Sequence, residues 1–334
     1  MWYQLKGLVF TLDNNLGAYE VGVYSALKKY NKRIRCIVGT GIGSFNAALI
    51  SSHEFKKLKN IWLDPGVKPI LDTLNNDLIP HTATKASLTL KNILSEHSDQ
   101  SLVIGSLSAL VRNHIDESKI RHSRMKFGTI SLNFKDLKEM PYYIDNISKG
   151  KVCNSIIASL YLPEFRNNNL ISKDKKSKLD EVEMLKRLGC KEVIVVGKEL
   201  KDYNNIDISY IFPKEGPNSC KINGQTNLQN MRRGYLDTLK YLNKIDGEVY
   251  YFKKKNYNYF KSINKNVDKE LYNVVSLLLK SNDVKTTTIK AIEYVFDNEN
   301  RELLNIYKID NSLLYCKKLK TVGMVYDYLR SLNI

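Results

Sequence analysis

The residues best placed to do chemistry lie in one glycine-rich turn, Gly39-Thr40-Gly41-Ile42-Gly43. It follows the short apolar run Ile34–Val38, which predicts a buried strand, and it precedes a helical pattern over Ser44–Ser51. A turn of this kind holds its central residue above the helix amino terminus, where backbone amides stabilise developing negative charge. Hydrolases place a nucleophilic serine there, in the pattern G-x-S-x-G. Here the central residue is Gly41, so the attacking hydroxyl is missing from that position.

Two hydroxyl side chains lie close to this position, on Thr40 and Ser44. Ser44 falls in the first turn of the predicted helix and is the candidate nucleophile if the reacting group has moved. A serine at a helix start more often bonds the free backbone amides than it attacks a substrate. The same holds for a threonine in the turn. Neither residue is therefore our first choice for catalysis.

The same turn could hold a ligand through Gly39, Gly41 and Gly43. Its spacing is neither G-x-G-x-x-G nor the phosphate loop that ends in Gly-Lys-Ser/Thr, so it does not indicate a nucleotide. Loss of a serine side chain would instead open a space for an acyl or phosphate group. No set of His, Cys, Asp or Glu has metal-ligand spacing, so we expect no metal and no cofactor.

The elements that must position this turn form a strand–helix–strand unit. Gly7–Leu12 reads as a buried strand, and Ala18–Tyr30 has helical spacing of its apolar residues. With Ile34–Val38 and the helix after the turn they form a βαβ unit, which implies a parallel sheet covered on both faces. Three later segments also have strand character: Met125–Leu132, Val193–Val196 and Ile206–Phe212.

This order of elements predicts an α/β fold, a three-layer α/β/α domain with a mostly parallel central sheet. Two helices are predicted late in this domain, a short one over Ser155–Tyr161 that Pro163 stops, and Leu179–Leu188. From Leu228 onwards nearly all of the pattern is helical. We therefore predict two regions, the α/β domain over residues 1–246 and a helical extension over residues 247–334 packed on it.

Several ordered segments resemble the patatin-like phospholipase family. GAYEVGVYSALKKY (Gly17–Tyr30) is similar to the family pattern G-A-Y-x-x-G-V, and CIVGTGIGSFNAAL (Cys36–Leu49) is similar to G-T-S-x-G-A-x-N-A-A. The resemblance continues through Tyr143–Phe165 and Lys191–Val196, and it ends at Arg232–Lys244. It implies a patatin-like fold and a lipid acyl hydrolase chemistry, in which a Ser–Asp dyad attacks an ester and a glycine-rich loop holds the oxyanion.

Carried over position by position, each part of that site is altered in this chain. The nucleophile falls on Gly41, and the aspartate falls on Lys173 or, one residue further on, Asp174. The oxyanion-loop glycines fall on three other residue types: Leu12, Asp13 and Asn14. The resemblance therefore predicts a catalytically degenerate relative, a pseudo-phospholipase. The alternative is an active acyl ester hydrolase with a rearranged site such as Ser44 with Asp174.

The charge of the chain bears on its partners. Lys and Arg number 52 against 35 Asp and Glu, which gives a net charge of +17. Such an excess favours a lipid or anionic membrane surface as partner, although most charge runs are simply solvated. No helix-turn-helix, zinc-finger or RNP-type pattern indicates a specific nucleic acid. A protein partner or a homo-oligomer is the other expectation, with the helical carboxyl-terminal region making the contacts.

The cysteines and the apolar runs indicate a compartment. Five scattered cysteines, without paired spacing, are typical of reduced thiols in a cytoplasmic protein. No apolar run reaches the roughly 18 residues that a membrane span needs. Leu8–Leu12 is too short and lacks the preceding basic region of a secretory signal. We expect a cytoplasmic protein that is peripheral at a membrane if it binds lipid.

Overall fold

A computed structural model describes most of the chain: residues 5–12, 16–67, 70, 102–133, 136, 138–167, 171, 176, 179–197, 205–213 and 226–334. The chain divides into two compact units, residues 1–212 and 213–334. No helix among the described residues is both long and apolar enough to cross a bilayer.

The first unit is built on a six-stranded sheet with the order β4-β3-β2-β1-β5-β6. Its strands are β1 (Leu5–Phe10), β2 (Ile34–Gly39), β3 (Lys126–Asn133), β4 (Lys138–Tyr143), β5 (Cys190–Val196) and β6 (Asp207–Ile211). All neighbours are parallel except β3 and β4. At the centre, Leu8 of β1 lies between Ile37 and Ile194, and all three are at most 1% exposed. The prediction of a mostly parallel sheet is confirmed.

Helices flank this sheet, as predicted. They are α1 (Gly17–Lys29), α2 (Ile42–Ser51), α3 (Phe55–Leu63), α4 (Leu102–His114), α5 (Glu117–His122), α6 (Val152–Leu160), α7 (Leu162–Asn167) and α8 (Glu181–Arg187). α8 begins after Asp180, whose side chain accepts a hydrogen bond from the Glu183 amide at 2.9 Å. An Asp at this position satisfies an amide that has no partner within the helix.

One local prediction in this unit is confirmed, and one strand was missed. The predicted short helix ends at Leu160, before Pro163, and Pro163 lies in the first turn of the next helix, α7, where its missing N–H leaves no hydrogen bond unmade. β4 was not predicted at all. It contains Pro141 and lies at the edge of the sheet, where a proline is tolerated but the usual sequence signal of a strand is weakened.

The second unit contains helices and a three-stranded sheet. Its elements are α9 (Asn227–Tyr241), β7 (Ile245–Asp246), β8 (Tyr251–Lys253), α10 (Tyr257–Ile263), α11 (Lys269–Leu278), α12 (Val284–Asn298), β9 (Ile306–Tyr307), α13 (Ile309–Lys318) and α14 (Met324–Ser331). β8 pairs antiparallel with β7 and parallel with β9. The sequence predicted only helices here, because strands of two or three residues are too short to show an alternation.

Residue 247, where the sequence analysis begins the helical extension, lies in the turn between β7 and β8. Gly247 has φ 111°, and a Cβ atom there would be 2.2 Å from the carbonyl oxygen of Tyr250. Only glycine fits that conformation and that space. The position is thus a tight hairpin turn inside the second unit, which begins at residue 213.

Candidate functional site

The glycine-rich turn connects β2 to α2 in the way the sequence predicts. The Thr40 amide donates to the carbonyl of Phe10 at 3.0 Å, and the Gly43 amide donates to the carbonyl of Thr40 at 3.1 Å. Gly41 immediately precedes α2 with φ 60° and ψ −134°, a conformation that is strained for any residue with a side chain. This is the sharp strand-to-helix turn that presents a nucleophile in hydrolases.

The glycines on either side of Gly41 let β1, β2 and α2 approach closely. A Cβ atom on Gly39 would be 2.1 Å from the carbonyl oxygen of Gly43. A Cβ atom on Gly43 would be 2.5 Å from the carbonyl oxygen of Phe10. Both clashes are with backbone, which cannot rotate away as a side chain could. The spacing G-x-G-x-G is therefore explained by packing, and it does not require a ligand.

The Gly41 amide is hydrogen-bonded within the protein. It donates to the hydroxyl oxygen of Ser159 on α6 at 3.1 Å. The Ser159 hydroxyl in turn donates to the carbonyl of Ile130 at 2.7 Å and is fully buried. Ser159 was not predicted as a site residue, and its only sequence signal is a small polar residue within the apolar segment IIASLYL.

Ser44 is also turned towards the backbone. Its Oγ donates to the carbonyl of Gly41 at 2.7 Å, and the side chain is fully buried. Such a bond to the preceding turn is what a serine at a helix start commonly makes. The partner proposed for it, Asp174, lies outside the described residues, as does Lys173.

A hydroxyl–carboxylate contact does occur beside Gly41. It involves Thr40, which the sequence analysis did not favour as a nucleophile. The Thr40 hydroxyl donates a short hydrogen bond to the carboxylate of Glu181, the first residue of α8. The two side chains belong to residues that are 6% and 7% exposed. The sequence analysis did not select Glu181, and its one signal was a carboxylate just after the helix-capping Asp180.

The loop after β1, where the resemblance places the oxyanion hole, contacts a buried acid. The Leu12 amide donates to Oε1 of Glu20 at 3.2 Å, while the Asn46 side-chain amide donates to Oε2 at 2.8 Å. Trp62 Nε1 fixes Asn46 by donating to its Oδ1 at 2.9 Å. Asp13 and Asn14, the other two predicted loop residues, lie outside the described part of the chain.

Burial decides the ionisation state of Glu20. Desolvation raises the pKa of this carboxyl from 4.5 to about 8, although the hydrogen bonds from Asn46 and Leu12 favour the charged form. Glu20 is therefore largely protonated at neutral pH. The sequence analysis did not single it out, although a lone acidic residue in the apolar segment GAYEVGV was a visible signal.

No metal site is evident in the described part of the chain, because it holds no cluster of three or more His, Cys, Asp or Glu side chains suited to an ion. The cysteines that the structure describes, Cys36, Cys153, Cys190 and Cys316, are free thiols.

Comparison with known proteins gives a family for part of the chain. The model of the family described as patatin-like phospholipase matches residues 14–171. A search of curated protein sequences finds no match. Among solved structures, VipD from Legionella pneumophila is similar at 12% identity and a TM-score of 0.35, over 98% of this chain and 83% of VipD. ExoU in its complex with SpcU, from Pseudomonas aeruginosa, is similar at 12% identity and a TM-score of 0.39, over 98% of this chain and 69% of that one.

The matched stretch contains the turn at Gly41 and the Ser159 that bonds its amide. The six-stranded, mostly parallel sheet with its flanking helices is the fold that the resemblance implied. Residues 14–171 therefore belong to the patatin-like phospholipase family.

Proposed function

We propose that this protein does not hydrolyse acyl esters and acts by binding an anionic lipid surface. The observation that carries the first half is the backbone of Gly41, which keeps the conformation of a nucleophile position without a side chain. Loss of the nucleophile from a serine hydrolase costs about 10⁶ in rate. A glycine at this position also avoids the backbone strain that a serine would carry there.

The surrounding hydrogen bonds support the same conclusion. The amide of Gly41 donates to Ser159, and the amide of Leu12 donates to Glu20. An amide that already has a protein acceptor is not free to stabilise an oxyanion, and each lost donor costs roughly 10²–10³ in rate. The Ser44 hydroxyl likewise already donates a hydrogen bond to the Gly41 carbonyl. The altered turn is therefore integrated into the core as a structural element.

The binding half of the proposal rests on the segment 317–324, KKLKTVGM, which we call the basic-apolar segment. Lys318 and Lys320 are exposed, and they neighbour two apolar side chains, Val322 at 87% and Met324 at 55% exposure. Each Lys near an anionic membrane surface contributes about 1 kcal/mol of binding free energy. Apolar side chains beside them can enter the interface between headgroups and acyl chains. The net charge of +17 favours the same kind of surface.

A second candidate function, acyl hydrolysis by Thr40, is favoured by one hydrogen bond. The Thr40 hydroxyl donates to the carboxylate of Glu181, and a carboxylate in that position can accept the proton of an attacking hydroxyl. The same bond equally well fastens α8 to the turn. We place the structural role first, because the pair is buried and the neighbouring amide of Gly41 is already bonded.

One labelling experiment tests the absence of hydrolysis. The purified full chain is treated with a fluorophosphonate probe and assayed with a chromogenic acyl ester, alongside Thr40→Val and Ser44→Ala. We expect no labelled residue and only background turnover in all three proteins. Turnover that Thr40→Val abolishes and Ser44→Ala preserves would establish the second candidate. Labelling that Ser44→Ala abolishes would show that Ser44 is the nucleophile, and the proposal would be wrong.

Vesicle flotation tests the binding half. We expect the protein to float with vesicles of phosphatidylcholine and phosphatidylserine, and to stay in solution with phosphatidylcholine alone. Lys318→Gln/Lys320→Gln should lower the partition coefficient about 30-fold, since two charges contribute roughly 2 kcal/mol. The matched control, Lys265→Gln/Lys269→Gln, removes two other exposed lysines of the same unit and should float like the parent. Absence of flotation with anionic vesicles would favour a protein partner instead.

A further inference from the structure

The second unit contains a cavity of about 420 Å³ whose charged lining is entirely cationic. The charged side chains around it are Lys253, Arg301 and Lys308. Arg301 follows α12, Lys253 ends β8, and Lys308 lies between β9 and α13. The pairing of β8 with β9 brings the segments of Lys253 and Lys308 together, since Phe252 lies opposite Tyr307. Positively charged side chains from three separate segments thus line the same cavity.

These three cations have no carboxylate partner within the described residues. Nε of Arg301 is buried and has no hydrogen-bond acceptor there either. Two acids near these cations along the chain are engaged elsewhere: the Glu302 carboxylate accepts from Asn305 Nδ2 at 2.6 Å, and the Asp310 carboxylate accepts from Lys255 at 2.8 Å and from the Tyr259 hydroxyl at 2.6 Å. Cations that share a cavity whose lining holds no carboxylate attract an anion into it.

Aromatic rings hold Arg301 in place. Its Cζ lies 4.6 Å from the ring centre of Tyr315, 5.6 Å from that of Phe296 and 5.8 Å from that of Tyr307. Phe296 is itself fixed by an edge-to-face contact with Tyr250 at 5.4 Å. A guanidinium surrounded by rings in this way loses little conformational entropy when it binds an anion, because its movement is already restricted.

The start of α13 adds a second source of positive potential. Lys308 precedes the helix, and no side chain caps its first amides. Asn311 and Ser312, in the first turn, line the cavity. Uncapped amides at a helix start carry partial positive charge and bind phosphate groups well.

We propose that this cavity binds a phosphate-bearing small molecule. The phosphate lies among Arg301, Lys253 and Lys308, and the remainder of the molecule lies against Tyr307 and Tyr315. A volume of 420 Å³ is within the range of small-molecule pockets and is more than a lone inorganic ion fills, so an organic phosphate fits it better. The site lies wholly within the second unit, and it is independent of the function proposed above.

Isothermal titration of the full chain tests this inference with three probes: inorganic phosphate, glycerol 3-phosphate and adenosine 5′-monophosphate. We expect the two esters to bind more tightly than inorganic phosphate. Stronger binding of the nucleotide would identify a ligand whose ring stacks on the tyrosines, and stronger binding of glycerol 3-phosphate would identify a lipid-derived headgroup. Binding of inorganic phosphate alone, or of none of the probes, would overturn the proposal.

Two matched pairs of lysines locate the binding. Lys253→Gln/Lys308→Gln should weaken ester binding about tenfold or more, because two charge-assisted contacts are lost. Lys265→Gln/Lys269→Gln removes the same charge from two exposed lysines of the same unit, outside the cavity, and should bind as the parent does. Arg301→Gln, checked for folding by circular dichroism, should abolish binding. Equal loss in both lysine pairs would show that the attraction is general and that the cavity is not the site.

Discussion

At the scale of single residues, Glu20 shows how burial changes what a side chain contributes. An ionised carboxylate would be costly in this fully buried position, so the raised pKa of about 8 keeps the group protonated. Two amides, from Leu12 and Asn46, nevertheless donate to its oxygens. The residue therefore ties α1 to α2 and to the loop after β1 as a neutral acid.

This pKa predicts a pH-dependent stability. In the unfolded chain Glu20 loses its proton near pH 4.5, whereas in the folded protein it keeps the proton up to about pH 8. Because the folded state binds more protons in this interval, the free energy of unfolding should fall as pH rises, by at most about 1.4 kcal/mol per unit.

The measurement is urea unfolding between pH 5 and pH 9 for the parent and Glu20→Gln. The variant cannot titrate at this position, so the difference in unfolding free energy between the two proteins should change across pH 5–8 and level off above it. A constant difference over the whole range would mean that Glu20 is ionised in the folded protein.

At the scale of elements, the turn between β2 and α2 depends on backbone contacts that leave no room for a side chain. Gly43→Ala should reduce the free energy of unfolding by about 1–3 kcal/mol, because its Cβ atom would press on the carbonyl of Phe10. Gly66→Ala is the control, since Gly66 is exposed and a Cβ atom there meets only the Asp64 side chain at 3.3 Å.

Urea unfolding of the two alanine variants distinguishes a packing role from a ligand-binding role. We expect the control to lie within about 0.5 kcal/mol of the parent. Equal stability of the parent and Gly43→Ala would indicate that the turn is free to open, and that its glycines serve a ligand after all.

At the scale of the whole molecule, the excess of positive charge should govern association with surfaces. The Debye length falls from about 10 Å at 0.1 M salt to about 3 Å at 1 M, so attraction between a +17 protein and an anionic bilayer is screened strongly. Flotation with phosphatidylserine vesicles should therefore weaken steeply between 0.05 and 0.5 M sodium chloride. Flotation that is indifferent to salt would point to Val322 and Met324 as the dominant contacts.

Local sequence was sufficient for the central features of this protein. The short apolar runs and the glycine-rich turn predict the strand–helix–strand unit, because periodicity and turn chemistry act within a few residues. The same local pattern places Gly41 where a serine would be needed. The edge strand that contains Pro141 and the short strands of the second unit show no clear alternation of apolar and polar residues. They were therefore not predicted.

The contacts that define the sites were decided by tertiary structure alone. Thr40 and its partner Glu181 are 141 residues apart in the chain, and Gly41 and Ser159 are 118 apart. The cations of the cavity likewise come from segments that only the β8–β9 pairing and the packing of α12 bring together. Sequence patterns report on a residue's own face of a strand or helix, whereas partners across the core depend on how those faces pack. The glycine at position 41 was thus visible in the sequence, while the hydrogen bonds around it were not.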